Sequence, residues 1–270
     1  MISQVELRKM VRDACKPKEG ARPAVYISGG IDSCIVLHHL RENYDGDIYT
    51  FTAKFRNRGD LLERASDVSE NYGTLHQEVE ITGFVETLYH VMRYLKFDEP
   101  RYNIWPYWLA REAAFMGCNT VYTGEGSDEV FGGYPNKNYL EGWAGQLVYV
   151  DYTYKIIHDA FKLELIKPFF NLPSLFDLYG SGYFFPPEKQ TLRDAYAGII
   201  PDWIRHAPVQ PPAFTQYMDV WERELKGKYE GRDPVNPQDV KDILQVLATD
   251  AWNKGKVGIL EKVEEEGGER

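Results

Sequence analysis

Two glycine-flanked loops hold the residues whose types and spacing could do chemistry. The first is Ser28-Gly29-Gly30-Ile31-Asp32-Ser33, directly after the apolar run Val25-Tyr26-Ile27. Glycines let a backbone wrap closely round an anion. Ser28 and Ser33 add hydroxyl donors, and a helix starting here offers free N–H groups and a partial positive charge. Asp32 would repel a phosphate, and a bridging Mg²⁺ resolves that conflict. The plainer alternative is an ordinary βα turn with Asp32 as a helix cap. The second loop is Thr123-Gly124-Glu125-Gly126-Ser127-Asp128-Glu129-Val130-Phe131-Gly132-Gly133-Tyr134. It gathers Glu125, Asp128 and Glu129 between glycines. A solvated acidic turn is the plainer reading here too, but it gives no reason for glycines on both sides of the acids. If the two loops share an edge, Asp32 and Asp128 can hold one Mg²⁺ between them.

The elements that must position these loops follow from periodicity and punctuation. Ser3 with Glu6 is a capping box, and Leu7, Met10, Val11 and Ala14 recur at helical spacing, which predicts a helix over Gln4 to Ala14. Strands are predicted at Pro23–Ile27, Ile48–Ala53, His76–Ile81 and Asn119–Thr123. Helices are predicted at Ser33–Asn43, Asp60–Tyr72, Phe84–Leu95 and Trp105–Met116, with Gly73 and Gly117 as stops. Strands alternating with helices imply an α/β fold, a parallel sheet with helices on both faces. Ligands of such sheets sit beyond the C-terminal ends of the strands. Both loops follow strands, so both belong on that edge. After about Asn138 strand signals fade and proline-interrupted helical ones dominate. The expected division is an α/β core over 1–137 and a helical lobe over 138–270 that completes the active site.

The chain has 270 residues, 43% hydrophobic and 27% charged, enough for a sizeable core. Its net charge of -10 argues against a nucleic-acid partner. The three cysteines, Cys15, Cys34 and Cys118, form no C-x-x-C pair and read as reduced thiols. No apolar leader segment or membrane-spanning stretch is evident, so a cytoplasmic protein is expected, with no membrane partner. His38-His39, His90, His158 and His206 show no familiar metal-ligand spacing. Tyr149, Tyr152, Tyr154 and Phe161 read as lobe core, and Glu264 to Glu266 as a solvated end.

The first loop resembles the pyrophosphate loop of the ATP pyrophosphatase superfamily, shared by GMP synthetases, NAD synthetases and tRNA-thiolating enzymes. The second is sharper: it resembles the synthetase domain of glutamine-dependent asparagine synthetases. Other matches run in order. Gly73-Thr74-Leu75-His76-Gln77-Glu78 is similar to a strand entry of that family, and Asp98-Glu99-Pro100 to its Asp-Glu-Pro turn. Glu164 with Pro168-Phe169-Phe170 resembles its Glu-x-Arg-x-Pro-Phe-Leu-Asp segment. Lys189 with Leu192 and Arg193 resembles its Lys-x-x-Leu-Arg helix start. The resemblance covers roughly residues 20 to 205. It implies an adenine nucleotide α-hydrolase-like fold and an ATP- and Mg²⁺-dependent carbon–nitrogen ligase. Ile27 and Ala53 would flank adenosine through backbone contacts, and Thr123 and Gly124 would complete that pocket. Ser28, Gly29, Gly30, Asp32 and Ser33 would hold pyrophosphate and metal, with Asp128 as a second metal ligand. Lys189 would stabilise charge on phosphorus during adenylation, and Glu125 would take a proton from the incoming amine.

The sequence also departs from the family. Full-length members begin with a glutaminase domain whose nucleophile is an N-terminal cysteine. Residue 2 is Ile2 here, so a stand-alone synthetase domain is expected, with ammonia from solution, a separate glutaminase chain, or another amine. Ile166 stands where the family has arginine, Asn171 where it has aspartate, and Ala207-Pro208-Val209 where it has a basic pattern. The stretch Thr153-Tyr154-Lys155-Ile156-Ile157 departs from its Arg-x-Asn/Asp pattern. These changes fall on the side expected to meet the carboxylate substrate. Aspartate with ammonia is the first expectation, and another small carboxylate or amine the nearest alternative. A catalytically silent nucleotide-binding partner subunit and a tRNA-modifying ligase are further alternatives. Intact Asp32, Glu125, Asp128 and Lys189 speak against the first of these. The acidity and the missing cysteine pair speak against the second. β-Lactam synthetases resemble this family but carry tyrosine in place of Glu125, which favours intermolecular amination here.

Overall fold

The computed structural model describes residues 2–54, 59–94, 105–133, 154–172, 188–207, 220–226, 240, 242–250 and 253–254. In chain order these include α1 (Gln4–Ala14), β1 (Pro23–Tyr26), α2 (Ile31–Asn43), β2 (Tyr49–Lys54), α3 (Gly59–Asn71) and β3 (Leu75–Glu80). There follow α4 (Phe84–Tyr94), α5 (Pro106–Phe115), β4 (Thr120–Tyr122), α6 (Ser127–Phe131) and β5 (Glu164–Ile166). The helix α1 starts as its capping box dictates, with Ser3 Oγ accepting from Glu6 N at 3.2 Å. The expected Asp98-Glu99-Pro100 turn, the end of the helix at Leu95, Tyr149, Tyr152, the prolines at 186–187 and 208–212, and the charged tail lie outside the described residues.

The five strands form one sheet in the order β3-β2-β1-β4-β5. β1 pairs in parallel with β2, Val25 opposite Thr50, and with β4, Val25 opposite Tyr122. β4 pairs in parallel with β5, Val121 opposite Leu165. A strand with no exposed face reads as a continuous apolar run, and all four residues of β1 are buried. From β1 the chain builds outward through β2 and β3. It then returns to the other side of β1 with β4, so the topological switch point falls between β1 and β4.

The fifth strand corrects the sequence reading. The segment after 138 was expected to be helical, yet Glu164–Ile166 adds to the sheet beside β4. Three residues, all half-buried, are too short to show the alternation that identifies a strand. Their pairing is supplied by β4, through contacts such as Glu164 N to Asn119 O and Thr123 N to Ile166 O.

The chain forms two compact units. The first comprises residues 1–54, 59–79 and 109–210. Its core packs α1 and α2 against β1 through Leu7, Val11, Val25, Ile27, Ile35, Leu37 and Leu40, and includes Phe169, Leu192 and Tyr196. His39 ties this core together, because Glu42 Oε2 lies 2.8 Å from its Nδ1 and Tyr196 Oη 2.7 Å from its Nε2. The second unit comprises residues 55–58, 80–108 and 211–270. There α4 receives its cap from a remote side chain: Glu224 accepts from Phe84 N at 2.7 Å and from Val85 N at 2.8 Å. A carboxylate at a helix N-terminus satisfies orphan donors and meets the dipole. Trp108 is buried in this unit and donates to Thr82 O at 3.1 Å. Among the described residues no helix is long and apolar enough to cross a membrane.

Candidate active site

The chain leaves β1 through Ile27-Ser28-Gly29-Gly30 and enters α2, whose cap position is Gly30 with no side-chain cap. Asp32 is therefore not a helix cap. Its Oδ1 accepts from Ser127 Oγ at 2.6 Å, across the switch point, and its Oδ2 pairs with Lys189. Ser28 N donates to Ser33 Oγ at 3.2 Å, Ser28 Oγ lies 3.2 Å from Ser33 Oγ, and Gly30 N points to Ser28 Oγ at 3.4 Å. The loop is thus a small ring of polar groups, closed on itself and exposed at Ser28.

The β4 loop comes against it because residue 124 has no side chain. A Cβ on Gly124 would stand 2.8 Å from Ser33 N and 2.9 Å from Asp32 Cβ, inside contact distance. Thr123 is buried on the same edge, with Oγ1 lacking a hydrogen-bond partner. Ile27 N donates to Phe51 O at 3.0 Å, and Ile27 O accepts from Thr52 Oγ1 at 2.5 Å. Its amide is therefore committed, and its carbonyl keeps one lone pair. Ala53 lies half-buried near the end of β2.

Lys189 reaches the cluster on a strained turn. Glu188 and Lys189 have φ of 60° and 57°, left-handed values in two successive residues with Cβ atoms. Each costs on the order of 1–3 kcal/mol and persists only where the surroundings impose it. Here Glu188 N donates to Gly132 O at 2.8 Å, and Arg193 Nε donates to Glu188 O at 2.8 Å. The ammonium ends between Asp32 Oδ2 and Asp128 Oδ1, 2.6 Å from the latter, with the lysine side chain 4% exposed. At 2.6 Å the Asp128 contact is a tight ion pair, held by the attraction of opposite charges. Burial pushes the Asp128 carboxyl above the usual range, and Asp32 adds to that. Burial works against the charged Lys189, but Asp32 and Asp128 outweigh it and raise the ammonium pKa to about 12. Two carboxylates about one ammonium leave one negative charge in excess. The packing is tight: a Cβ on Gly133 would fall 1.8 Å from Asp128 Oδ1 and 2.4 Å from Lys189 Cε.

Glu125, on the same loop, has different company. Tyr154 Oη donates to its Oε1 at 2.9 Å. Burial raises its pKa to about 7; Glu129 and Asp128 push the same way, while Tyr154 and the buried Lys167 pull it down. Behind Tyr154, His158 Nδ1 lies 2.6 Å from Tyr154 O and His158 Nε2 2.8 Å from Tyr26 Oη. A carbonyl only accepts, so Nδ1 carries the proton and Nε2 accepts from Tyr26. Burial holds this imidazole neutral, its pKa lowered to about 4. The sequence reads Tyr154 as lobe core and gives His158 no role beyond the lack of metal-ligand spacing. Their i, i+4 spacing marks one helix face, and nothing in the sequence ties that face to Glu125.

The structure thus brings Asp32, Ser33, Gly124, Ser127, Asp128, Gly133 and Lys189 together, with Glu125 on the same loop. Other candidates stay apart from it. His38, His39 and Glu42 cluster on α2 with ligand atoms within 4.8 Å of one another, but both nitrogens of His39 are occupied by Glu42 and Tyr196. The cysteines are free and buried, and burial raises the Cys118 thiol to about 11 and the Cys34 thiol to about 12. Such thiols are poor nucleophiles.

A parallel α/β sheet with an acid–lysine cluster across its switch point defines the class of fold and site. The comparison with known proteins then narrows it. The model of the asparagine synthase family matches residues 6–162, and the chain belongs to that family. It is 32% identical over 138 residues to the glutamine-hydrolyzing asparagine synthetase 2 of Oryza sativa subsp. japonica, covering 42% of this chain and 22% of that protein. It is 29% identical over 154 residues to asparagine synthetase B of Escherichia coli (strain K12), covering 48% of this chain and 27% of that one. The matches thus span about a quarter of those relatives' length. Among solved structures it is similar to the NMN synthetase of Francisella tularensis, with 14% identity, TM-score 0.46 and coverage of 93% and 97% of the two chains.

Proposed function

We propose that this chain is an ATP-dependent amide-forming ligase of asparagine synthetase type. The observation that carries the reading is the meeting of Asp32, Asp128 and Lys189 across the switch point, on the loop that also bears Glu125. In the first step a carboxylate oxygen of the substrate attacks the α-phosphorus of ATP, the bond from that phosphorus to the bridging oxygen breaks, and pyrophosphate leaves. In the second step an amine lone pair attacks the acyl carbon of the adenylate and AMP leaves. The proton shed by the nitrogen passes to Glu125. A pKa near 7 suits a group that must accept a proton at neutral pH and release it afterwards.

Ser28, Gly29, Gly30 and Ser33 would receive the pyrophosphate, and Ile27, Ala53, Thr123 and Gly124 the adenosine. The unpartnered Thr123 Oγ1 is available for such a ligand. Lys189 would move its charge toward phosphorus as negative charge builds there. The donor set of Asp32 and Asp128 is all oxygen and carries excess negative charge, which fits Mg²⁺. These two carboxylates would hold the ion, which would supply positive charge against the leaving pyrophosphate. Lys189 lies beyond residue 138, so the later segment completes the site in this reading. Aspartate is the first candidate carboxylate, and ammonia, free or delivered by a separate glutaminase chain, the first amine. A cytoplasmic setting suits ATP use and free thiols. The test is pyrophosphate release and isotope exchange between pyrophosphate and ATP, screened across small carboxylates with ammonia present. Exchange that depends on one carboxylate is expected, and no exchange with any would overturn the reading.

A further inference from the structure

The polar network behind Glu125 is more than packing. Tyr154 is 2% exposed, and its hydroxyl donates to Glu125 Oε1 at 2.9 Å. Burial and the neighbouring Glu125 raise the phenol pKa well above 10, so the hydroxyl stays a donor throughout the working pH range. A glutamate carboxylate rotates broadly about its last torsion, and one fixed donor removes that freedom. Tyr154 is itself fixed: His158 bonds its carbonyl, stacks against its ring with centroids 6.1 Å apart, and accepts from Tyr26 on β1. The charged groups acting on Glu125 are Glu129 and Asp128 from α6 and Lys167 from the turn after β5. Tyr154 is the neutral donor among them, and a neutral donor sets orientation without cancelling the charge.

We infer that Tyr154 is a positioning residue for amine transfer, its hydroxyl locking Glu125 Oε1 so that Oε2 is the proton-accepting oxygen, with His158 and Tyr26 bracing it from the sheet. The inference rests on the reading of Glu125 as the base. It is tested in the full chain with Tyr154→Phe, Glu125→Gln and the double variant. Tyr154→Phe should slow transfer to ammonia about tenfold at pH 7, in the range for a mispositioned base. Pyrophosphate–ATP exchange should stay within about twofold, since adenylation precedes the proton transfer. The acid limb of transfer should move to higher pH, because the charged carboxylate has lost a donor. Replacing Tyr154 by 3-fluorotyrosine, a stronger donor of nearly the same shape, should move that limb to lower pH. In the Glu125→Gln background Tyr154→Phe should add less than about twofold. A further tenfold loss there would assign Tyr154 a role independent of Glu125 and overturn the inference. Slow transfer in Glu125→Gln with an unmoved limb in both Tyr154 variants overturns the positioning role alone. Wild-type transfer in Glu125→Gln overturns the reading of the base and this inference with it.

Discussion

Asp128 and Glu125 sit on one loop, and burial raises the pKa of both, yet the protein treats them in opposite ways. Asp128 is met by a cation that arrives on a strained backbone and is shared with Asp32. Glu125 is met by a neutral hydroxyl from a braced helix. An ammonium between two carboxylates is held by charge and can be displaced by another cation or drawn toward an anion. A carboxylate held by a hydroxyl keeps its charge and its place. In the proposed reaction the contrast would separate a charge-handling end, for phosphates and metal, from a proton-handling end, for an amine.

Four substitutions break or sharpen this comparison, in falling order of effect. Lys189→Ala should cut pyrophosphate–ATP exchange on the order of a thousandfold, as for loss of a transition-state charge contact. ATP affinity measured by calorimetry should stay within about tenfold. Exchange at the wild-type rate would move Lys189 to a purely structural role and dissolve the charge-handling end. Asp32→Ala should in turn weaken Mg²⁺-dependent ATP binding, and equal affinity would remove the metal bridge. Gly133→Ala should also hit the charge-handling end, because its Cβ would overlap Asp128 Oδ1 and Lys189 Cε. We expect exchange to fall about a hundredfold, with about 1–3 kcal/mol of lost stability from overpacking in urea denaturation. The titration of Glu125, followed by its infrared carboxylate band, should hold. A comparable shift at Glu125 would show that the two ends are not separate.

Glu125→Gln addresses the proton-handling end. Acyl-adenylate should form and persist in rapid-quench experiments, while its transfer to ammonia slows about a hundredfold. Stability should move the other way. Folding raises the Glu125 pKa from 4.5 to about 7, so between those values the folded chain holds a proton the unfolded chain has released. Stability from this group is present at low pH and lost as pH rises through that window. The glutamine variant escapes the cost and should be more stable at pH 8 by on the order of 3 kcal/mol, with no advantage at pH 4.

The smallest effect concerns the buried imidazoles. Burial lowers His39 and His158 from 6.5 to about 4. The unfolded chain then binds protons that the folded chain does not, so stability is lost as pH falls from about 6.5 to about 4. In the wild type the protonation of Glu125 partly offsets that loss. In Glu125→Gln the loss should stand alone, and a flat thermal midpoint from pH 7 to pH 5 in that variant would mean that both imidazoles ionise in place.

The sequence by itself determined the first four strands, the helices between them to within a few residues, and the two acidic glycine loops. Those features are local: capping boxes, alternation of strand and helix, and Gly-Gly turns are written in neighbouring residues. It also named Asp32, Glu125, Asp128 and Lys189 as candidates. Only the tertiary structure decided what each of them touches. That β1 and β4 are neighbours follows from strand order, which no local pattern encodes. The sequence leaves a helix cap open for Asp32 beside a place in the phosphate loop, and only the fold brings Ser127 and Lys189 to it from across the switch point. β5 is too short to announce itself and exists because β4 offers it an edge. Tyr154 looks like core, and His158 like nothing in particular, until the fold sets the one against Glu125 and the other against Tyr26 of β1. Burial, which raises the Glu125 pKa and lowers that of His158, depends on the whole packed unit, and so the chemistry of these residues was settled only when the chain had closed around them.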